Sequence, residues 1–298
     1  MKYGLHLAGG AIVSGRKELK EVATIAEELG FDSILIGDHI INAKQIESPW
    51  PYTEYYGSTD PKQLPFSIYT DVPWLDPFDT LAFLAAATEK PRLGLSVLIV
   101  PYRNPYDVAR RIATLDVLSG GRVILGVGVG WMEEEFRLLG IPFKERAQRT
   151  REYIAVMKAV WTQENPRFDG QFIKLDRDVN MLPRPLQQPH PPIWVGGESM
   201  PALRRVVEFG NGWHIALLTL EQISSLYERL RRAMAEAKRD FGELEFTAMV
   251  DMSRLSPGIV ESYRKFNVST LYMLPLGGSL SEFIKGMESF AAMIRAAG

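Results

Sequence analysis

Short apolar segments alternate with amphipathic helical patterns along the whole chain, and this alternation limits the fold more than any other feature. In Arg16–Leu29, for example, apolar residues recur at helical spacing, and Gly30 stands where a helix would end. Eight strand–helix pairs over 298 residues fit the size of a (β/α)8 TIM barrel. A doubly wound sheet alternates in the same way, but Gly9-Gly10 lacks the G-x-G-x-x-G spacing expected after its first strand. We therefore expect an α/β protein with a single barrel domain over residues 1–298.

The apolar runs and their flanking turn residues give approximate bounds for each element. The expected strands are Lys2–Ala8, Ser33–His39, Arg92–Val100, Arg122–Gly130, Pro192–Gly197, Gly212–Leu217, Glu245–Met252 and Thr270–Pro275. The expected helices are Arg16–Leu29, Pro77–Glu89, Pro105–Ser119, Arg146–Trp161, Pro201–Phe209, Leu220–Phe241, Pro257–Phe266 and Ser281–Ala296.

Two segments are longer than ordinary connections. Asn42–Leu75 follows the second strand, and Gln163–Pro191 follows the helix after the fourth strand. The first is rich in tryptophan and tyrosine, which argues against disorder. It would leave the end of the barrel where active sites lie, so we interpret it as a lid, with packing over the barrel mouth or a dimer contact as the alternatives.

Composition excludes several classes of protein. The 34 Lys and Arg residues nearly balance the 36 Asp and Glu residues, which argues against a nucleic-acid partner. No cysteine is present, so disulfides, thiolate catalysis and cysteine metal sites are ruled out. No apolar run approaches the ~20 residues that span a bilayer, and the N-terminal residues lack a secretory pattern. We expect a cytoplasmic protein that acts on a small molecule, without a membrane partner.

Histidines are the first candidates for chemistry. Asp38-His39 closes the second strand, where a barrel presents catalytic groups, and histidine exchanges protons near neutral pH. A buried polar contact is the alternative role for His39. His6 and His214 lie in strands, but no H-x-H or H-E-x-x-H pattern accompanies them, so a metal site is not expected. His190, within a proline-rich segment, is interpreted as structural.

Glycines gather at two strand ends. One face of the fourth strand carries no side chains, because every second residue of LGVGVGW is a glycine (Gly126, Gly128 and Gly130). A flat ligand or a neighbouring backbone can therefore approach this face. Gly196-Gly197 leads into a helix whose free amides suit a phosphate. Ser96-Val97 interrupts the apolar third strand, and taken alone Ser96 would be a small, hydrogen-bonded polar residue in a buried strand.

These motifs together resemble a known family. The order GDH, LGLSVLIVPYRNP, LSGGRVILGVGVGWMEEEF, PPIWVGGES and NGWHIA is similar to the bacterial luciferase-like flavin oxidoreductases, and especially to the branch that uses the deazaflavin coenzyme F420. The resemblance runs from the first strand to about Ala216. It implies a (β/α)8 fold, a homodimer, and a flavin-like ring at the C-terminal mouth of the barrel.

The resemblance also implies roles for individual residues. His39 would lie close to the reactive centre of the ring and act as the catalytic residue. Ser96-Val97 would be a non-proline cis peptide that supports the ring. The residues implied to bind the cofactor are Asp38, Ser96, Val97, Gly128 and Gly130 around the ring, and Gly196, Gly197 and Glu198 around its phosphate.

The chain departs from the sugar-phosphate dehydrogenases of this branch at two positions. Ala43 stands where they have a tryptophan, and Trp131 stands where they have a glutamate. Both catalytic assignments therefore lapse, and a sugar phosphate is not the expected substrate. One of Glu133, Glu134 and Glu135 could replace the missing acid, although glutamates at a helix start are common for electrostatic reasons.

Three hypotheses follow from the resemblance. The first is hydride transfer between coenzyme F420 and an organic substrate, with His39 handling the proton and Asn42–Leu75 excluding water. The second is an FMN-dependent monooxygenase that uses reduced flavin and oxygen and is supplied by a separate flavin reductase. In either case a flavin or F420 reductase is an expected protein partner. The third is a flavin-binding barrel without catalysis.

Overall fold

A closed ring of parallel strands forms the centre of the computed structural model, which describes residues 1–7, 13–52, 55, 57, 73–274 and 278–297. The ring has eight strand positions, which confirms the predicted (β/α)8 fold. The barrel strands are β1 (Lys2–Leu7), β2 (Ser33–Ile36), β3 (Arg92–Leu95) continued by β4 (Leu98–Ile99), β5 (Val123–Gly128), β8 (Ile193–Gly196), β9 (Gly212–Ala216), β10 (Glu245–Asp251) and β11 (Thr270–Leu274). Strands β6 (Phe168–Asp169) and β7 (Lys174–Leu175) form a separate antiparallel pair inside the insertion Gln163–Pro191.

Helices surround the barrel and follow the predicted pattern. They are α1 (Arg16–Glu28), α2 (Pro77–Ala87), α3 (Pro105–Leu118), α4 (Glu133–Leu138), α5 (Arg146–Thr162), α6 (Met200–Phe209), α7 (Leu220–Glu236), α8 (Pro257–Lys265) and α9 (Leu280–Ala296). Several begin at a side-chain cap: Asn104 accepts from Tyr106 N, and Ser279 and Glu282 form a capping box. None of the helices in the described ranges has both the length and the apolarity that a bilayer crossing requires.

Side chains alternate between the inside of the barrel and the layer of helices. Along β5, Val123, Leu125 and Val127 pack in the outer core, and Ile124 packs in the inner one. Gly126 and Gly128 share the inner face with Ile124 because strand residues two apart point the same way. The inner core is closed by large side chains, Leu35, Ile124, Trp194, Met249 and Tyr272.

The third strand position differs from the prediction. Arg92–Val100 was expected to be one strand, but the ladder breaks between β3 and β4, where the Ser96–Val97 peptide is cis. The resemblance implied this cis peptide, and the structure confirms it. Strand β3 pairs with β2 and β5, and β4 resumes the pairing with β5.

Other boundaries shift by a few residues. Strand β2 ends at Ile36, so Asp38 and His39 lie beyond the ladder rather than in it. Helix α7 ends at Glu236 because Lys238 takes a left-handed conformation (φ 55°). Residues Ala8 and Pro275, predicted as strand ends, lie outside the described residues, and so do residues 53, 54, 56 and 58–72 of the predicted lid.

Candidate active site

His39 is held by a buried carboxylate. Its Nδ1 lies 2.7 Å from Oε2 of Glu135, the third glutamate of α4, which has no exposed surface. The other oxygen of Glu135 accepts the backbone N–H groups of Ile40 (2.7 Å) and Ile41 (3.1 Å). Tyr102 donates its hydroxyl to Oε2 at 2.9 Å. Of the three glutamates in question, Glu135 is thus the one that contacts His39.

This contact sets the protonation of the pair. Burial raises the pKa of Glu135, but the hydrogen bond from His39 and the backbone donors outweigh it, so the pKa lies below the usual range for glutamate. The ionised carboxylate accepts the proton on Nδ1 of His39, which assigns any proton exchange with a bound molecule to Nε2. The same carboxylate raises the pKa of Tyr102, in addition to the effect of burial. A histidine arranged in this way acts as a general base or acid.

Asp38 is bound within the protein. Its carboxylate accepts two hydrogen bonds from the Arg103 guanidinium in a bidentate arrangement, at 2.7 and 2.8 Å. It also accepts the backbone N–H of Ile99 at 2.9 Å. Burial raises the pKa of Asp38, and the Arg103 pair opposes this effect. Asp38 borders the cleft described below, and its observed contacts fix the start of the segment after β4 against the end of β2.

Polar side chains from three strands converge beneath the cis peptide. His6 Nε2 donates to the carbonyl oxygen of Ser96 at 3.2 Å. A hydrogen bond of 2.8 Å joins Ser96 Oγ to His214 Nε2, and another of 2.8 Å joins His214 Nδ1 to Thr247 Oγ1. Burial lowers the pKa of His6 to about 4 and that of His214 to about 3, so both rings are neutral at pH 7. They hold the Ser96–Val97 turn in place from below.

The strand glycines make room for Val97. A Cβ atom at Gly128 would lie 2.5 Å from Cγ2 of Val97, and one at Gly196 would lie 2.7 Å from its Cγ1. A Cβ atom at Gly126 would lie 1.9 Å from the carbonyl oxygen of Leu95. The sequence left two explanations for these glycines, a flat ligand or a neighbouring backbone. The close approach of Leu95 and Val97 favours the neighbouring chain segment. Gly128, Gly130, Gly196 and Gly197 nevertheless all border the cleft.

The cleft at the C-terminal mouth has two lobes, and six residues border both of them: Tyr52, Ser96, Val97, Ile99, Trp131 and Met249. The apolar lobe, with about 660 Å³ of empty volume, is bordered by His39, Trp74, Leu217 and Leu274. Trp74, near the end of the predicted lid, meets His39 edge-on with ring centroids 4.9 Å apart. The glycine-lined lobe, with about 800 Å³, is bordered by both glycine clusters, Glu198 and the first turn of α6.

Glu198 and Arg205 supply charge to the glycine-lined lobe. Burial raises the pKa of the Glu198 carboxyl to about 7, and its Oε1 accepts the backbone N–H of Ala216 at 3.1 Å. Arg205, on α6, was missed by the sequence analysis. It is only 7% exposed, and within the described ranges no carboxylate or carbonyl hydrogen-bonds its guanidinium. Ser199 caps the N-terminus of the same helix. Position 197 requires a glycine because its φ is +111°, a conformation that other residues rarely adopt.

Among the described residues, no group of three or more histidine, aspartate and glutamate side chains is arranged to hold a metal ion.

Comparison with known proteins agrees with the motifs in the sequence. Relatives include the FMNH(2)-dependent dimethylsulfone monooxygenase of Pseudomonas putida, 41% identical over 134 residues, which are 44% of this chain and 36% of that protein. They also include the F420-dependent glucose-6-phosphate dehydrogenase of Beutenbergia cavernae, 34% identical over 243 residues, 79% of this chain and 63% of that one. The chain thus spans less than two thirds of either relative.

A solved structure shares the fold of this chain, and a family model matches most of its length. The monooxygenase RslO1 from Streptomyces bottropensis superposes with a TM-score of 0.78 at 20% identity, covering 99% of both chains, which shows a shared fold. Residues 4–253 match the luciferase-like monooxygenase family. The match includes the glycine-lined lobe, the His39–Glu135 pair, the cis peptide and all residues that border the apolar lobe except Leu274. The chain belongs to the luciferase-like monooxygenase family.

Proposed function

We propose that this chain is an oxidoreductase that transfers a hydride between coenzyme F420 and an organic substrate. The observation that carries the proposal is the His39–Glu135 pair on the wall of the apolar lobe. Oxidation of an alcohol by hydride loss requires a base for the hydroxyl proton, and reduction of the carbonyl requires the matching acid. A histidine backed by a buried carboxylate supplies either at neutral pH.

The glycine-lined lobe suits the cofactor. At one end it has the first turn of α6 and the buried Arg205, which has no hydrogen-bonded carboxylate among the described residues; together they favour a phosphate. At the other end Val97, Ile99 and Met249 provide an apolar wall for a planar ring. When bound, the cofactor supplies the two-electron chemistry. Ser96 and Val97 would support the ring, and the residues around Gly196, Gly197 and Glu198 would hold the phosphate.

The apolar lobe is the proposed substrate side. His39 Nε2 would take the substrate proton, while Glu135 retains Nδ1–H and stabilises the imidazolium that forms. Trp74, Trp131 and Leu274 would exclude water from the reacting atoms. The apolar lining indicates an apolar organic substrate, in agreement with the departures from the sugar-phosphate dehydrogenases at Ala43 and Trp131.

A second candidate keeps the site and changes the cofactor. The 41% identity to an FMNH(2)-dependent monooxygenase favours reduced FMN and oxygen. FMN has the same tricyclic shape and a phosphate, so the glycine-lined lobe suits it as well. A separate flavin reductase would then be a partner of this chain. The single-domain organisation, the homodimer and the cytoplasmic location belong to the same proposal.

Titration of the purified protein with each cofactor tests the proposal. Coenzyme F420 should bind with micromolar affinity, and FMN should bind at least tenfold more weakly (about 1.4 kcal/mol). The H39A variant should keep its cofactor affinity within about threefold, because His39 borders the other lobe. The reverse preference would establish the second candidate, and binding of neither cofactor would overturn both.

A further inference from the structure

Arg205 is in an unusual position for a buried cation. Arg205 borders the glycine-lined lobe, and it also borders a second cleft between α5 and α6. Burial, followed by repulsion from Arg151 and Arg146, lowers its pKa, while Glu208 opposes this only weakly. A buried charge without a partner is costly for a folded protein. Such a group is retained where a ligand supplies the missing opposite charge.

The second cleft is also positively charged, and it adjoins the glycine-lined lobe through Arg205. It has about 800 Å³ of empty volume and is bordered by Arg151, Arg204 and Arg205. Its one carboxylate, Glu152, already accepts the backbone N–H groups of Gln171 (3.1 Å) and Phe172 (2.8 Å). Arg151 forms an ion pair with Glu208 at 2.8 Å. Because both side chains are exposed, this pair is weak and competes little with an anionic ligand for Arg151.

We propose that the α5–α6 cleft is a second anion subsite, and that Arg205 joins it to the phosphate position at the start of α6. The ligand would carry two anionic groups in series: a phosphodiester beside Arg205, and a carboxylate-bearing extension that lies along Arg151 and Arg204. Pro201 and Ala202 of the first turn of α6 lie between the two positions and border one cleft each.

This inference rests on the proposed function and makes it more specific. FMN ends at its phosphate, so it would leave the α5–α6 cleft unused. In coenzyme F420 the phosphate is a diester that continues into a chain of glutamates, which matches two anionic positions in sequence. The α5–α6 cleft therefore favours the deazaflavin for a reason independent of the ring.

Two preparations of coenzyme F420, one without glutamates and one with several, provide the test. Each is titrated by fluorescence against the wild-type protein, the double variant R151Q/R204Q, and a control R229Q/R232Q. The control removes two exposed arginines of α7 that border neither cleft, and so matches the change in net charge. The wild type and the control should bind the glutamylated form about tenfold more tightly, and added salt should reduce the difference.

The double variant should bind both forms equally, at the affinity that the wild type has for the form without glutamates. A further variant, R205M, should weaken both forms, while its melting temperature without ligand stays the same or rises because an unpaired buried charge is gone. A lower melting temperature with unchanged affinity would show that Arg205 is structural, which overturns the proposal.

The outcomes separate this inference from the proposed function. Equal affinity of the wild type for the two preparations would overturn the second subsite and leave F420 binding intact. A preference that persists in the double variant would also overturn it, because the cleft arginines would then not be responsible. Failure of either preparation to bind would overturn the proposed function and, with it, the second subsite.

Discussion

At the scale of single residues, the proton chemistry depends on which nitrogen of His39 carries the hydrogen. Glu135 fixes this by accepting the Nδ1 proton at 2.7 Å, and two backbone N–H groups and Tyr102 fix Glu135 in turn. Neutral glutamine at position 135 would keep the size of the side chain but could place an amide N–H against Nδ1. The histidine would then hold its proton on Nε2 and lose its function as a base.

The E135Q variant should therefore reverse the tautomer of His39. We expect ¹⁵N NMR of the imidazole nitrogens to show Nδ1–H in the wild type and Nε2–H in E135Q. With a substrate, turnover should fall by roughly a hundredfold or more, while the cofactor affinity stays the same. The Y102F variant is the control, because it removes a hydrogen bond to the same oxygen without offering Nδ1 a donor. An unchanged tautomer in E135Q would contradict the proposed role.

The fit between Val97 and the strand glycines is a second property of single residues. In G128A, the added methyl group would lie about 2.5 Å from Cγ2 of Val97, which is closer than carbon atoms pack. We expect G128A to lose about 1–3 kcal/mol of unfolding free energy in urea titrations. In the background V97A, where that methyl group is absent, the same change should cost much less. Equal losses in the two backgrounds would show that Gly128 is needed for another reason.

At the scale of elements, one helix organises the segment beside the active site. Glu134 of α4 accepts the backbone N–H groups of Glu47 (2.7 Å) and Ser48 (2.9 Å), and also the Ser48 hydroxyl at 2.7 Å. That hydroxyl in turn accepts the backbone N–H of Glu133 at 2.9 Å. Helix α4 thus binds the predicted lid segment through Glu134 and the segment His39–Ile41 through Glu135.

The E134A variant should release the lid segment and leave the barrel intact. Hydrogen exchange at the amides of Glu47 and Ser48 should become at least tenfold faster, a change of about 1.4 kcal/mol in local opening. In E133A the rate should be unchanged, because Glu133 takes part through its backbone. If exchange in E134A matched the wild type, other contacts would be holding the segment.

The elements also show what the sequence could and could not predict. Continuous apolar runs located the barrel strands, which are buried on both faces, and helical periodicity located the helices, which bury one face; both agree with the structure to within a few residues. Ser96 interrupts the apolar run of the third strand, but one small polar residue is compatible with a continuous buried strand. The cis peptide between Ser96 and Val97 was therefore predicted from the family resemblance alone. The choice among Glu133, Glu134 and Glu135 was left open because consecutive glutamates satisfy helix electrostatics equally well, and only the folded barrel distinguishes Glu135 from the others.

Arg205 was missed for a related reason. In the Arg204-Arg205 pair, both residues look like a solvated helix surface, and neither is part of a motif. One signal was available: Arg205 follows Ala202 by three residues and so lies on the buried face of α6. Cations on a buried helix face are rare enough to mark a site.

At the scale of the whole molecule, the two ends of the barrel differ: side chains close the N-terminal end, and the C-terminal end is open to the cleft. The N-terminal end is closed by the inner-core ring of Trp194 and by the Arg92–Glu245 pair at 2.8 Å, with Arg92 5.2 Å above that ring. The C-terminal end carries the cleft. His6 and His214 lie between the two ends, buried beneath the Ser96–Val97 turn that borders the cleft.

This position predicts how the barrel responds to acid. The pKa of His214 is lowered to about 3 by burial and by repulsion from His6, against 6.5 in an unfolded chain. Between these values the unfolded chain binds more protons, so the folded state loses stability as the pH falls below 6.5. At pH 5.0 the loss from this one histidine is about 2 kcal/mol.

The H214Q variant isolates this contribution. In urea unfolding at pH 7.5 and pH 5.0, the wild type should lose about 2 kcal/mol more than H214Q between the two pH values. Glu198 acts in the opposite direction, because its pKa of about 7 favours the folded state on acidification. Its contribution is present in both proteins and cancels in the comparison. Equal losses would mean that His214 is not held neutral beneath Ser96, and that the cis turn is supported by the remaining contacts.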